Sequence, residues 1–138
     1  HQGGAHTEAK NRRIPPIDAD KLDAAILTHA HLDHSGRLPL LPRHGFDAPI
    51  FATKATIELC GILLRDSAHI QESSASRANK YRSRRGRGPA TPLYTTPDVE
   101  RVLPMFREVP FDDFVEVAPG GRAKWVDAGH ILGAASVM

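Results

Sequence analysis

The segment Thr28-His29-Ala30-His31-Leu32-Asp33-His34-Ser35-Gly36 constrains this chain more than any other stretch. Four metal-capable side chains fall within six residues, in the pattern His-x-His-x-Asp-His. Imidazole nitrogens and a carboxylate are the ligands that Zn²⁺ accepts from protein. In an extended segment His29 and His31 point to the same side, Asp33 continues the alternation, and His34 projects differently. One short turn can then serve two metal ions, with His29 and His31 on one and Asp33 and His34 on the other. Ala24-Ala25-Ile26-Leu27 ahead of the motif reads as a buried strand running to Thr28, and Ser35-Gly36 behind it as a turn. Ligands carried at the end of a rigid strand are well held.

A catalytic metal with two histidines needs a third protein ligand and one open position. Asp127-Ala128-Gly129-His130-Ile131-Leu132-Gly133 places His130 just past an expected strand, between glycines that permit unusual backbone angles and close approach. His130 is the best candidate. His1, His6 and His44 fall in polar loop sequence and read as exposed. His69, three residues after Asp66 and three before Glu72, reads as the polar face of an amphipathic helix. Cys60, the single cysteine, sits in an apolar helical stretch and reads as a small buried residue. One cysteine excludes an internal disulfide and is compatible with a cytoplasmic location.

A chain of 138 residues suits one domain, and no apolar run approaches the length that spans a membrane. His1-Gln2-Gly3-Gly4 lacks the apolar stretch of a secretory signal and an initiator Met, so a fragment or processed product is expected. Residues 1–17 read as loop, 18–23 as a short helical turn, and 38–44 as another turn ended by Gly45. Pro49 to Ala52 reads as a strand. Thr53 resembles an N-cap for a helix from Lys54 to about Asn79. Thr96-Pro97-Asp98 resembles a second cap, opening a helix that lasts to about Phe106. Phe111 to Val117 and Arg122 to Ala128 read as a hairpin around Pro119-Gly120, and Ala134 begins a last strand. The class is mixed α/β.

Net charge is +2, but its distribution is uneven. Arg77, Lys80, Arg82, Arg84, Arg85 and Arg87 lie within eleven residues, and no acidic residue occurs between Glu72 and Asp98. This stretch is either a phosphate-binding patch or a solvated loop. Tyr81 within it and Tyr94 beyond it are candidates for stacking on bases.

The histidine motif resembles the signature of the metallo-β-lactamase fold, and Ala128-Gly129-His130-Ile131-Leu132-Gly133-Ala134-Ala135-Ser136-Val137 resembles that fold's next histidine motif. With Asp66-Ser67-Ala68-His69-Ile70-Gln71-Glu72 between them, the chain is similar to the β-CASP branch, which includes the nuclease subunit of the cleavage and polyadenylation machinery. Gln2-Gly3-Gly4 resembles the loop after that family's first strand. The resemblance implies an αββα sandwich, here partial. Residues 1–138 would be part of a single metallo-β-lactamase-like domain, with the first strand, the β-CASP insertion and the C-terminal part absent. It implies two zinc ions in a complete active site: His29, His31 and His130 on the first, Asp33 and His34 on the second, and Asp33 orienting the attacking hydroxide. The second position also needs ligands that this chain does not carry, so one tightly bound zinc and little activity are expected of it. The implied activity is endo- or 5′-exonucleolytic hydrolysis of RNA, with RNA as partner, no membrane association, and a homodimer left open for a full-length protein. Two other readings remain: a hydrolase of the same fold acting on a thioester or lactam, and a non-catalytic scaffold domain.

Overall fold

The computed structural model describes residues 11, 17–83, 86 and 88–138. The apolar run ahead of the histidine motif enters a parallel sheet. Ala25–Ile26 (β1) pairs with Ile50–Thr53 (β2), and β2 pairs with Phe106–Val109 (β3). Backbone bonds from Ala25 N to Pro49 O and from Leu27 N to Phe51 O carry the pairing to the end of β1 nearest the motif. Parallel strands need long crossovers. The first contains the helical turn Leu32–Ser35 (α1) and the 3-10 run Leu38–His44; the second contains the 30-residue helix Lys54–Ser83 (α2) and Thr96–Val102 (α3). Phe114–Ala118 (β4), Gly121–Asp127 (β5) and Ala135–Val137 (β6) then form an antiparallel sheet in the order β4-β5-β6.

Side-chain alternation along β2 decides how the layers stack. Ile50 and Ala52 join the core built with Cys60, Leu64 and Ala68 of α2 and Val99 and Val102 of α3. Phe51 goes the other way, onto the cluster of Trp125, Ala123, Ala135 and Val109. The parallel sheet is therefore covered by helices on one face and by the antiparallel sheet on the other, a partial αββα sandwich. Trp125 is fully buried between the sheets, and its Nε1 donates to Leu27 O at 3.4 Å, two residues before His29.

β1 covers only Ala25–Ile26 of the expected buried strand, with Ile26 exposed, and four further boundaries differ, each for a local reason. The second helix is capped by Thr95 rather than Thr96, because the Asp98 carboxylate accepts from Thr95 N at 2.7 Å and Thr95 Oγ1 at 2.6 Å. That helix gives way at Leu103-Pro104-Met105 to a 3-10 turn, since Pro104 has no N–H to donate, and Phe106 opens β3 instead of closing a helix. β4 starts at Phe114, not Phe111, because Asp112 takes a left-handed backbone (φ 65°) and leaves Phe111 with a single bridge to Trp125. The long helix runs on to Ser83, so Lys80 and Arg82 are helical. Cys60 is fully buried as expected, and burial pushes its thiol up to about 11. No helix among the described residues is long and apolar enough to cross a membrane.

Candidate metal centre

His29, His31 and His130 meet at the edge where β1 ends. One imidazole nitrogen from each lies within 4.8 Å of the others. His130 Nε2 is 3.2 Å from His31 Nδ1, and the His29 ring centroid is 5.0 Å from that of His31 and 5.1 Å from that of His130. A tetrahedral Zn²⁺ with Zn–N bonds of about 2.0–2.1 Å requires ligand nitrogens about 3.3 Å apart. The His31–His130 pair already meets that spacing. Three imidazole nitrogens within reach of one ion, one of them on an exposed ring, suit a metal with an open fourth position.

Each histidine is fixed by its own backbone device. Thr28 Oγ1 lies 2.9 Å from His29 Nδ1, which leaves His29 Nε2 to face the centre. His31 caps α1, receiving bonds from His34 N at 2.9 Å and Ser35 N at 2.8 Å on its carbonyl. Ser35, itself buried, returns its hydroxyl to Ala30 O at 2.8 Å and locks the turn.

The His130 loop is held from three sides. Ala128 N bonds Ala134 O at its neck, Ala135 N reaches across to Thr28 O at 2.9 Å, and Gly129 N bonds the Asp127 carboxylate at 2.9 Å. The strongest clamp is at Gly133. Its carbonyl accepts from Thr53 Oγ1 at 2.6 Å and Thr56 Oγ1 at 2.9 Å. A Cβ on Gly133 would stand 2.7 Å from Thr56 N and 2.8 Å from Ala55 Cβ, at a backbone φ of 78°. The close approach expected of the glycines holds at Gly133, where it is made to the start of α2, and not at Gly129, which has nothing within 4 Å of an added Cβ. Thr53 was readable as a helix cap, and Thr56 N does reach its hydroxyl at 3.4 Å. Its second task, holding a loop 80 residues away in sequence, had no local signal.

Asp33 and His34 do not continue the strand-like alternation, because α1 curls the chain immediately after His31. The curl brings the His34 ring to 4.1 Å from His29, tilted by 47°, and leaves His34 Nε2 3.7 Å from Asp33 Oδ2. Both side chains are about half exposed beside the triad. Burial, followed by the neighbouring His34, His31 and His130 rings, lowers the His29 pKa against the opposing pull of Asp33. A ring held neutral competes less with protons for a cation.

The other candidates separate. His44 and His69 are exposed. Tyr94 is 1% exposed, its hydroxyl donating to Ser67 Oγ at 2.8 Å, so it is a core residue and stacks on nothing outside. Ser67, Gln71 and Glu72, from the segment that resembled the β-CASP branch, grip the chain returning from α2. Leu93 N bonds Gln71 Oε1 at 2.9 Å, and Thr96 N and Oγ1 bond the Glu72 carboxylate. Arg77 and Lys80 are exposed on α2, while Arg82 Nε bonds Gly88 O at 2.6 Å. Arg84, Arg85, Arg87, His1, His6 and Gln2-Gly3-Gly4 lie outside the described residues.

Residues 4–123 match the family described as the metallo-beta-lactamase superfamily. The chain belongs to the metallo-β-lactamase superfamily. His130 lies beyond the matched span, so its place in this superfamily member's site rests on the distances above. The chain is 31% identical over 135 residues to the transcription termination factor FttA of Cenarchaeum symbiosum, covering 96% of this chain and 19% of that protein. It is 33% identical over 131 residues to a ribonuclease of Thermus thermophilus, covering 95% and 26%. It is 38% identical over 117 residues to FttA of Pyrococcus abyssi, covering 84% and 16%. The resemblance to a nucleic-acid-processing branch of the superfamily is borne out by these relatives. The chain spans about a quarter or less of the length of these curated relatives.

Proposed function

We propose that this chain supplies the metal-binding edge of a zinc-dependent ribonuclease that hydrolyses RNA phosphodiester bonds. The observation that carries the reading is the convergence of His29, His31 and His130 on one point, with Asp33 and His34 beside them. The ribonuclease and termination-factor names of the relatives favour RNA over a thioester or lactam as substrate. When bound, the ion supplies Lewis-acid polarisation of a phosphoryl oxygen. His29 Nε2, His31 Nδ1 and His130 Nε2 would hold it. Thr28 keeps the His29 ring in register by engaging its other nitrogen. Asp33, open to solvent, accepts a hydrogen bond from the attacking water and orients it. Asp33 and His34 would supply two ligands of a second metal position beside the first.

The test is elemental analysis of the purified chain, combined with labelled-RNA cleavage by the full-length protein. One tight zinc per chain is expected, lost in His31→Ala together with cleavage. Asp33→Asn should keep the first zinc and lose cleavage. Two tight zincs in this chain alone, or full cleavage by His31→Ala, would refute the assignment.

A further inference from the structure

We infer that α2 is a molecular ruler, placing a second RNA contact on its outer face about ten nucleotides from the site of scission. The inference rests on the RNA reading above and deepens it. The start of α2 is tied to the metal centre, since Thr53 and Thr56 hold Gly133, three residues after His130. From Thr56 to Lys80 the helix axis rises about 36 Å, at about 1.5 Å per residue. No proline interrupts α2, and it runs as one continuous helix.

The near half of the helix is held by burial and the far half by side-chain hydrogen bonds. Buried residues of α2 end at Ala68, and beyond them side-chain bonds take over. Gln71 and Glu72 bind Leu93 and Thr96, and the Asn79 amide pairs with both Ala90 N (2.7 Å) and Ala90 O (3.0 Å). The separation between the metal centre and the end of α2 is therefore a fixed length.

That end carries the chemistry for single-stranded RNA. Arg77, Lys80 and Tyr81 fall on one face by helical spacing, opposite the packed stripe of Cys60, Leu64 and Ala68. Tyr81 is 70% exposed, and Arg77 and Lys80 are exposed beside it. No acidic residue lies between Glu72 and Asp98 to oppose a phosphate. Cations with an exposed aromatic ring recognise a phosphate backbone and a base face without sequence preference. At about 3.4 Å per stacked nucleotide, 36 Å corresponds to about ten nucleotides. A shorter stacked RNA seated at the metal centre falls short of the patch.

The experiment uses the full-length protein and single-stranded oligoadenylates, whose bases stack, of 4 to 24 nucleotides. KM should fall by about tenfold between roughly 8 and 12 nucleotides. Arg77→Gln combined with Lys80→Gln should raise KM for the 20-mer to that of the 6-mer, leave kcat and the 6-mer KM unchanged, and leave circular dichroism unaltered. With the metal chelated, the 20-mer should still bind, and the double variant should reduce the salt slope of that binding by roughly 1.4, about 0.7 for each charge removed. A smooth length dependence, or equal weakening of 6-mer and 20-mer, would overturn the ruler while leaving the nuclease reading intact. Failure to bind RNA of any length would overturn both.

Discussion

Gly133→Ala tests whether the start of α2 positions the metal ligand His130. The new Cβ would stand 2.7 Å from Thr56 N and 2.8 Å from Ala55 Cβ, both parts of a packed helix start that cannot yield cheaply. The residue also holds φ 78°, which costs a residue with a Cβ roughly 1–2 kcal/mol. If the loop moves away to relieve the clash, Gly133 O loses two hydroxyl donors at about 1 kcal/mol each. The loop carrying His130 is then misplaced by about 3–4 kcal/mol, equivalent to roughly a hundredfold or more in zinc affinity. Gly129→Ala is the internal control. It has a similar φ of 62° but nothing within 4 Å of an added Cβ, so only the backbone cost applies and the loss should stay near tenfold. The assay is competitive zinc titration against a chromophoric chelator, with thermal unfolding of the metal-free variants alongside. Zinc affinity of Gly133→Ala within twofold of the parent, or losses no greater than for Gly129→Ala, would refute the clamp.

Burial would raise the Asp98 carboxyl, but hydrogen bonds from Arg43 and Thr95 outweigh it and hold the group at about 2, below its ordinary 3.8. Its contribution of about 2 kcal/mol is present above pH 3.8 and lost as pH falls toward 2. Acid unfolding of Asp98→Asn should therefore lack that component, and an unchanged acid transition would contradict the pairing. Trp125→Ala, which empties the space between the sheets, should cost about 3–5 kcal/mol in denaturant unfolding and loosen the Leu27 end of β1. Asn79→Ala should increase amide exchange at Ala90 with little change in global stability, because it removes a side-chain tether and no core contact. Chelation should lower the melting temperature of the parent but not of His31→Ala, since a ligand stabilises only the chain that binds it.

The histidine motif was legible because its chemistry is local: the side chains that chelate are written within six residues, and strand and turn signals flank them. His130 was legible because a metal with two ligands demands a third, and because its glycine-flanked segment resembles the fold's next histidine motif. The element order, including the hairpin at Pro119-Gly120, followed from periodicity and turn residues, but β3 did not. Phe106–Val109 is four residues with two exposed charges, and its strand character comes from pairing with β2, a contact no local pattern announces. The turn of α1 was also missed. His31-Leu32-Asp33 fits alternation as well as it fits a helical turn, and the Ser35 hydroxyl on Ala30 O favours the turn.

The segment Asp66–Glu72 gives the sharper lesson about what a motif marks. Read as sequence it indicated a branch of nucleases, which invites placing its polar groups against substrate. In the fold Ser67, Gln71 and Glu72 are spent on Tyr94, Leu93 and Thr96. These bonds bring the chain back along α2, seat Thr95 as the cap of α3, and so deliver β3 to the open edge of β2. β3 in turn places Val109 against Trp125, whose indole bonds Leu27 O two residues before His29. Ser67, Gln71 and Glu72 therefore support the sheet that carries the metal centre, while Asp66 and His69 stay exposed. Replacing Gln71 with Leu should accordingly weaken zinc binding through loss of order at 93–109 while leaving RNA affinity of the metal-free protein unchanged. The opposite pattern would return these residues to the substrate path.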